Sequence, residues 1–218
     1  MEPSLFSFVP GWSHLVPFLL AGLALNLTPG ADMTYVLSRS LAQGKAAGLA
    51  SALGIFTGSA VHSLLAAAGV AALIAASEIG YSVLTWVGAA YLVYLAIKSW
   101  REDTSVEALQ NRKAASLTRI WIEGALVNLL NPKVALFILA FLPQFTEPER
   151  GHVWAQILVL GTLFNIGGTT VLVGVALAAG SFADHLRTRP GIKRWMNRIC
   201  ATLLGALAVR LATSARQG

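Results

Sequence analysis

Asp32 and Lys133 each follow a proline closely inside a long apolar stretch of this chain. Asp32 belongs to Asn26-Leu27-Thr28-Pro29-Gly30-Ala31-Asp32, and Lys133 to Asn128-Leu129-Leu130-Asn131-Pro132-Lys133. Thr28-Pro29 and Asn131-Pro132 both read as a helix cap followed by proline at the first helical position. Each stretch is therefore expected to form two half-helices, the second restarting at the proline. A restarting half-helix presents unpaired N–H groups and roughly half a positive charge, which together hold anions such as carboxylates. A carboxylate, a cation and two such ends in one cavity suit a zwitterion. Its acidic group would meet the half-helix N-termini and Lys133. Its ammonium would meet Asp32 and the amide oxygens of Asn26 and Asn128. Asp32, a lone carboxyl in an apolar segment, is also the candidate proton carrier.

The candidate site thus comprises Asn26, Thr28, Pro29, Gly30, Asp32, Asn128, Asn131, Pro132 and Lys133. Two further residues have two readings each. His62 is either a proton relay or a packed, hydrogen-bonded histidine. Asn165, beside Gly167 and Gly168, either faces the same cavity or bonds a neighbouring helix. The structural alternative for the whole constellation is a pair of packing kinks with Asp32 and Lys133 forming a buried ion pair.

The elements that position these residues follow from composition. Of 218 residues, 56% are hydrophobic and 12% charged, and the mean hydropathy is +0.65. A soluble domain carries roughly 25% charged residues, so the chain belongs in a bilayer. At roughly 20 apolar residues per span, its length allows about six spans and no separate soluble domain. The net charge of +6 is scattered over loops and does not point to nucleic acid. A single cysteine, Cys200, excludes an internal disulfide and a Cys-x-x-Cys pair. No Lys or Arg precedes Arg39, so the first apolar segment is expected to be a retained span rather than a signal peptide.

Six apolar segments are drawn at about 13–37, 47–75, 81–98, 121–144, 153–180 and 196–214. Runs of this length cannot satisfy their backbone as open strands. The expected fold is an all-α integral membrane protein in a single polytopic domain, 1–218. The proline breaks fall in the first and fourth segments, and glycine-rich segments follow each. That recurrence predicts two inverted three-helix repeats, about 12–100 and 119–214, joined by a linker at about 101–118. Twelve Lys and Arg residues fall in the loops after segments one, three and five, and three on the opposite side. The positive-inside rule then puts both termini on the non-cytoplasmic side. Gly54-x-x-x-Gly58 has the spacing of a close helix contact. Glu123 is expected at a membrane interface, and most tryptophans near span ends.

At Thr28-Pro29-Gly30-Ala31-Asp32-Met33 and Asn131-Pro132-Lys133 the chain resembles the LysE/RhtB family of bacterial amino-acid export translocators over nearly its full length. The family typically has a second proline where this chain has Ala31. The resemblance implies a secondary carrier in a bacterial inner membrane that exports small amino acids or related zwitterionic metabolites, driven by the proton gradient. Its partners would be the substrate, protons and the lipid bilayer, with a homo-oligomer left open. One acid and one base in the proposed site lean toward a neutral amino acid. No phosphate-binding loop, cofactor motif or catalytic triad is present, so neither ATP use, a cofactor nor an enzymatic activity is expected. The alternative is a cation or heavy-metal exporter, which would need several carboxylate, His or Cys ligands converging.

Overall fold

The structure, a computed structural model, describes residues 9–76 and 114–179, with single positions between 86 and 97 and between 181 and 209. Apart from those positions the expected third and sixth spans lie outside the described residues, as do most of the linker, Trp100 and Cys200. Among the described residues every regular element is helical. Helix α1 (Trp12–Leu27) is followed by α2 (Ala31–Gln43) and α3 (Lys45–Ala76). In the second half come α4 (Leu117–Leu129) and the short α5 (Pro132–Leu136). The chain continues from α5 through a π-helical turn, Phe137–Phe141, and a 3-10 turn, Leu142–Phe145. Helix α6 (Val153–Leu177) closes the described core.

Both proline motifs break their segments as the sequence predicts. The axis bends 47° between α1 and α2, and 57° between α4 and the stretch Pro132–Phe145. Lys45–Gly69 of α3 and Val153–Leu177 of α6 are each long and apolar enough to cross a membrane, and each bent pair would add one more span. The order of elements, a bent pair followed by a long unbroken helix, therefore occurs twice. Large apolar side chains such as Leu20, Leu23, Leu53, Leu64 and Leu65 lie exposed on the outer faces of α1 and α3. That surface suits lipid, where exposure of leucine carries no cost.

Apolar helices in lipid associate through close packing rather than through the hydrophobic effect, and small residues permit the approach. The Gly54–Gly58 pair does this at the contact of α3 with α4. A Cβ on Gly54 would collide with the Trp121 carbonyl oxygen, and one on Gly58 would come 2.7 Å from that of Ala125. Gly124 returns the contact, since its Cβ would lie 2.8 Å from the Ser51 carbonyl oxygen. A different requirement holds at Gly44, whose φ of 83° makes the tight turn from α2 into α3.

Two buried apolar clusters form the core. One gathers Phe18 of α1, Phe137, Phe141 and Phe145 of the second half, and Ile157, Leu160 and Phe164 of α6. Its rings pack at centroid distances of 4.5–5.5 Å, as in Phe137–Phe141 and Phe18–Phe145. The other gathers Met33, Val36 and Leu37 of α2, Ala52 and Ile55 of α3, Ile120 of α4, and Leu172, Val175 and Ala176 of α6. Helices α3 and α6 run through both clusters, and the stretch of each that lies between them is where polar residues gather.

Each cluster is bordered by a polar tie. Beside the second, Arg39 of α2 pairs with Glu123 of α4, which also pairs with Arg119 at 2.9 Å. The Tyr35 hydroxyl donates to the Ile120 carbonyl at 3.0 Å and to Glu123 at 3.1 Å. Arg39 is thus no loop residue: α2 runs six residues past the expected end of the first segment, and Arg39 within it is only 4% exposed. Glu123, expected to sit alone at an interface, joins the two halves. Beside the first cluster, the Glu147 carboxylate accepts from the Gly11 amide at 2.9 Å and pairs with Arg150 and His14. The Gly11 amide, helped by Arg150 and His14, holds that carboxyl below the usual carboxylate range.

Candidate functional site

The two breaks meet. Asp32, in the first turn of α2, accepts from the side-chain amides of Asn128 at 2.9 Å and Asn131 at 3.2 Å. The Lys133 ammonium reaches across to the end of α1, 3.5 Å from the Leu25 carbonyl oxygen. It also lies beside Gly30, the residue just ahead of α2, 3.5 Å from where a Cβ would stand. A cation is favourable at the carbonyl end of one helix. The same cation next to the N–H end of another creates a place for an anion.

The capping differs from expectation at the first break. Thr28 does not cap α2. Its hydroxyl turns back to the Ala24 carbonyl at 2.7 Å, and its own amide donates to Leu25. Pro29 consequently lies ahead of α2 rather than at its first position, which Ala31 occupies. The physical reason is that an intrahelical i−4 acceptor satisfies a threonine hydroxyl locally. At the second break the expectation holds. Asn131 is the cap, its side-chain oxygen accepting from the Lys133 amide at 3.1 Å, with Pro132 at the first helical position.

A cleft opens between these groups and the middles of α3 and α6, enclosing about 560 Å³ with its open mouth included. Asn26, Thr28, Gly30, Asp32, Asn128, Asn131, Lys133 and Asn165 line it. Pro29 and Pro132 shape the breaks from outside the lining. His62 lies one layer behind, buried, its Nε2 3.3 Å from the Asn128 carbonyl oxygen. Asn26 reaches α6, donating to the Phe164 carbonyl at 3.3 Å. Gly168 makes room for it, since a Cβ there would come 3.0 Å from the Asn26 amide oxygen.

Several lining residues carry no signal in the sequence. Leu25, Val134 and Phe164 project from the aromatic cluster, and Met33, Ile55 and Leu172 from the other, giving the cleft an apolar wall on both sides. Apolar residues in an apolar helix look the same whether they face lipid, a neighbour or a cavity. Thr169 could have been found, because it follows Asn165 at the i+4 spacing that puts both on one helix face. Ser59 of α3 is 4% exposed and its hydroxyl has no hydrogen-bond partner. The side-chain oxygen of Asn128, 1% exposed, likewise has none.

The depth of the cleft follows from the long helices. Ser59 lies 14 residues into the apolar stretch Lys45–Gly69, about 21 Å along it, and Asn165 lies 12 residues from either end of α6, about 18 Å. Both are far from the ends of helices just long enough to span hydrocarbon about 30 Å thick. A metal carrier would need converging ligands, and no three His, Cys, Asp or Glu side chains come together among the described residues.

Comparison with known proteins agrees with this architecture. The profile of the family described as LysE type translocator matches residues 23–215. A Vibrio cholerae protein described as an uncharacterized membrane protein is 32% identical over 90% of this chain and 95% of its own length. A homoserine/homoserine lactone efflux protein of Salmonella typhimurium is 29% identical, again over 90% of this chain and 95% of its own. A leucine efflux protein of Salmonella choleraesuis is 28% identical over 93% of this chain and 94% of its own. No solved structure matches. The chain belongs to the LysE type translocator family and is a multi-pass membrane protein.

Proposed function

We propose that this LysE-family chain exports neutral amino acids or closely related zwitterions from the cytoplasm in exchange for protons, using the cleft between its two breaks. The observation that carries the reading is the pairing of opposite charges at one buried junction. Asp32 is fixed by Asn128 and Asn131, while the Lys133 ammonium stands beside the start of α2. An α-carboxylate bound there would meet Lys133 and the N-terminal amides of α2, and an α-ammonium would meet Asp32. Because Asn131 spends its oxygen on the Lys133 amide, the start of α5 is filled by the protein itself. The carboxylate site therefore belongs to α2 alone.

The walls favour an uncharged side chain, since among the described residues the lining beyond Asp32 and Lys133 holds amide, hydroxyl and apolar groups. Relatives named for leucine and for homoserine efflux are consistent with that. Exchange follows if Asp32 binds either a substrate ammonium or a proton, but not both. Six spans in two inverted halves, about 12–100 and 119–214, with both termini outside, complete the reading. The repeated order of bent pair and long helix supports it.

The test loads liposomes containing the protein with labelled leucine, homoserine, lysine and their decarboxylated amines. Release is followed with and without an inward proton gradient. Gradient-dependent release of the neutral amino acids and retention of the amines is the expected result. Asp32→Asn is expected to abolish gradient-dependent release, at least 100-fold, while leaving the protein in the membrane. Equal release of amines and amino acids would overturn the zwitterion site.

A further inference from the structure

We infer that Ser59 is a substrate-binding residue of the cleft, its hydroxyl serving with Asn128 and Asp32 as one of three acceptors for the substrate ammonium. The inference rests on the zwitterion reading of the same cleft and adds a residue that neither the motifs nor the charge pattern single out. Hydroxyls in membrane helices satisfy themselves cheaply by donating to the carbonyl four residues back. On α3, Ser51 does so to Ala47 at 2.8 Å, Thr57 to Leu53 at 2.9 Å, and Ser63 to the carbonyl of Ser59 at 3.0 Å. Ser59 lies among them on the same helix, is buried like Ser51 and Ser63, and makes no such bond. Ser59 lines the cleft instead.

A buried hydroxyl without a partner is costly, and natural proteins retain few of them. Here a second orphan belongs to another residue lining the same cleft. The Asn128 side-chain oxygen is unpartnered and packs against Gly58, the neighbour of Ser59, while the amide nitrogen of the same side chain is spent on Asp32. Both orphans are thus oxygens, and both border a cleft that already holds a carboxylate. Oxygens beside a carboxylate match a group that only donates. An ammonium has three N–H donors and no acceptor, one for each of Asp32, Asn128 and Ser59. A carboxylate at this place would face the Asp32 carboxylate and the Asn128 oxygen, with the Ser59 hydroxyl as the one donor of the three. Asp32 and the Asn128 oxygen therefore set which end of the zwitterion faces α3, and the Ser59 hydroxyl accepts from it.

The test compares Ser59→Ala, with Ser51→Ala as control, in the liposome assay using leucine, homoserine and their N-methyl derivatives. Ser59→Ala is expected to raise the apparent KM for the unmethylated substrates about tenfold, the size of a lost hydrogen bond to a charged group. Maximal rate and detergent-solubilised melting temperature should hold or rise, since the variant deletes an unsatisfied group. For the N-methyl derivatives, which have already lost one donor, it should add less than threefold. Ser51→Ala should leave KM unchanged. An unchanged KM in Ser59→Ala, or an equal rise for methylated and unmethylated substrates, overturns the assignment while leaving the zwitterion reading intact. Export untouched by Asp32→Asn, or a wild-type protein that exports none of these compounds, overturns that reading and the assignment with it.

Discussion

At the first break three residues, Thr28, Pro29 and Gly30, separate the half-helices, and no side chain caps the restart. At the second only Leu130 and Asn131 intervene, and the Asn131 side chain closes the new helix over its own backbone. Three bonds between the breaks run one way. Asn128, Asn131 and Lys133 donate, and Asp32 and the Leu25 carbonyl accept. The second break is thus a self-capped supplier of donors. The first is an uncapped helix start bearing the carboxylate. Two motifs built from the same residue types have become complementary rather than equivalent, and complementarity is what a ligand with two opposite charges requires.

That asymmetry can be pressed from both sides. Lys133→Ala removes the cation beside the open helix start. It is expected to raise the KM for amino acids 30-fold or more while adding little to the already poor handling of decarboxylated amines. An equal loss for both compounds would mean that Lys133 only supports the fold. Asn131→Ala removes a cap and one of the two bonds on Asp32. A lost cap costs about 1 kcal/mol, so a fall in melting temperature together with a KM rise of about tenfold is expected. Asn131→Asp keeps a capping oxygen but sets a second acid beside Asp32, and should restore the stability without restoring transport. Ala31→Pro sharpens the picture with the smallest effect. Ala31 is the first residue of α2, where proline is well tolerated because the missing N–H has no intrahelical partner. Transport within about twofold of wild type, with stability unchanged or slightly higher, is the expected outcome. A collapse of transport would show that the Ala31 amide itself binds the carboxylate.

The same position explains a departure from the family pattern. A second proline where this chain has Ala31 would fall at the start of α2 and would not alter the break, whose bend is set by the three residues before it. By contrast, the reading of Thr28 as a cap failed because its hydroxyl can accept from the amides ahead of it or donate to the carbonyl four residues back. Only the observed backbone shows that the Ala24 carbonyl wins. The place of Arg39 was misread for a related reason. Alone, it looks like a charge in a loop, and its pairing with Glu123 joins residues 84 apart in the chain.

Membrane residence, the helical class, the two breaks and the polar groups gathered at them were all fixed by local composition. Apolar runs of this length have one way to satisfy their backbone in lipid, and proline interrupts it wherever it falls. Tertiary structure alone decided that Asp32 faces Asn128 and Asn131, that Lys133 crosses to the other break, and that an unremarkable Ser59 stands with its hydroxyl unspent at the cleft. A hydrogen bond between distant segments depends on helix rotation and close approach. Those are set by glycines packed against backbone, as at Gly54, Gly58 and Gly124, and no linear pattern records which carbonyl each glycine will meet.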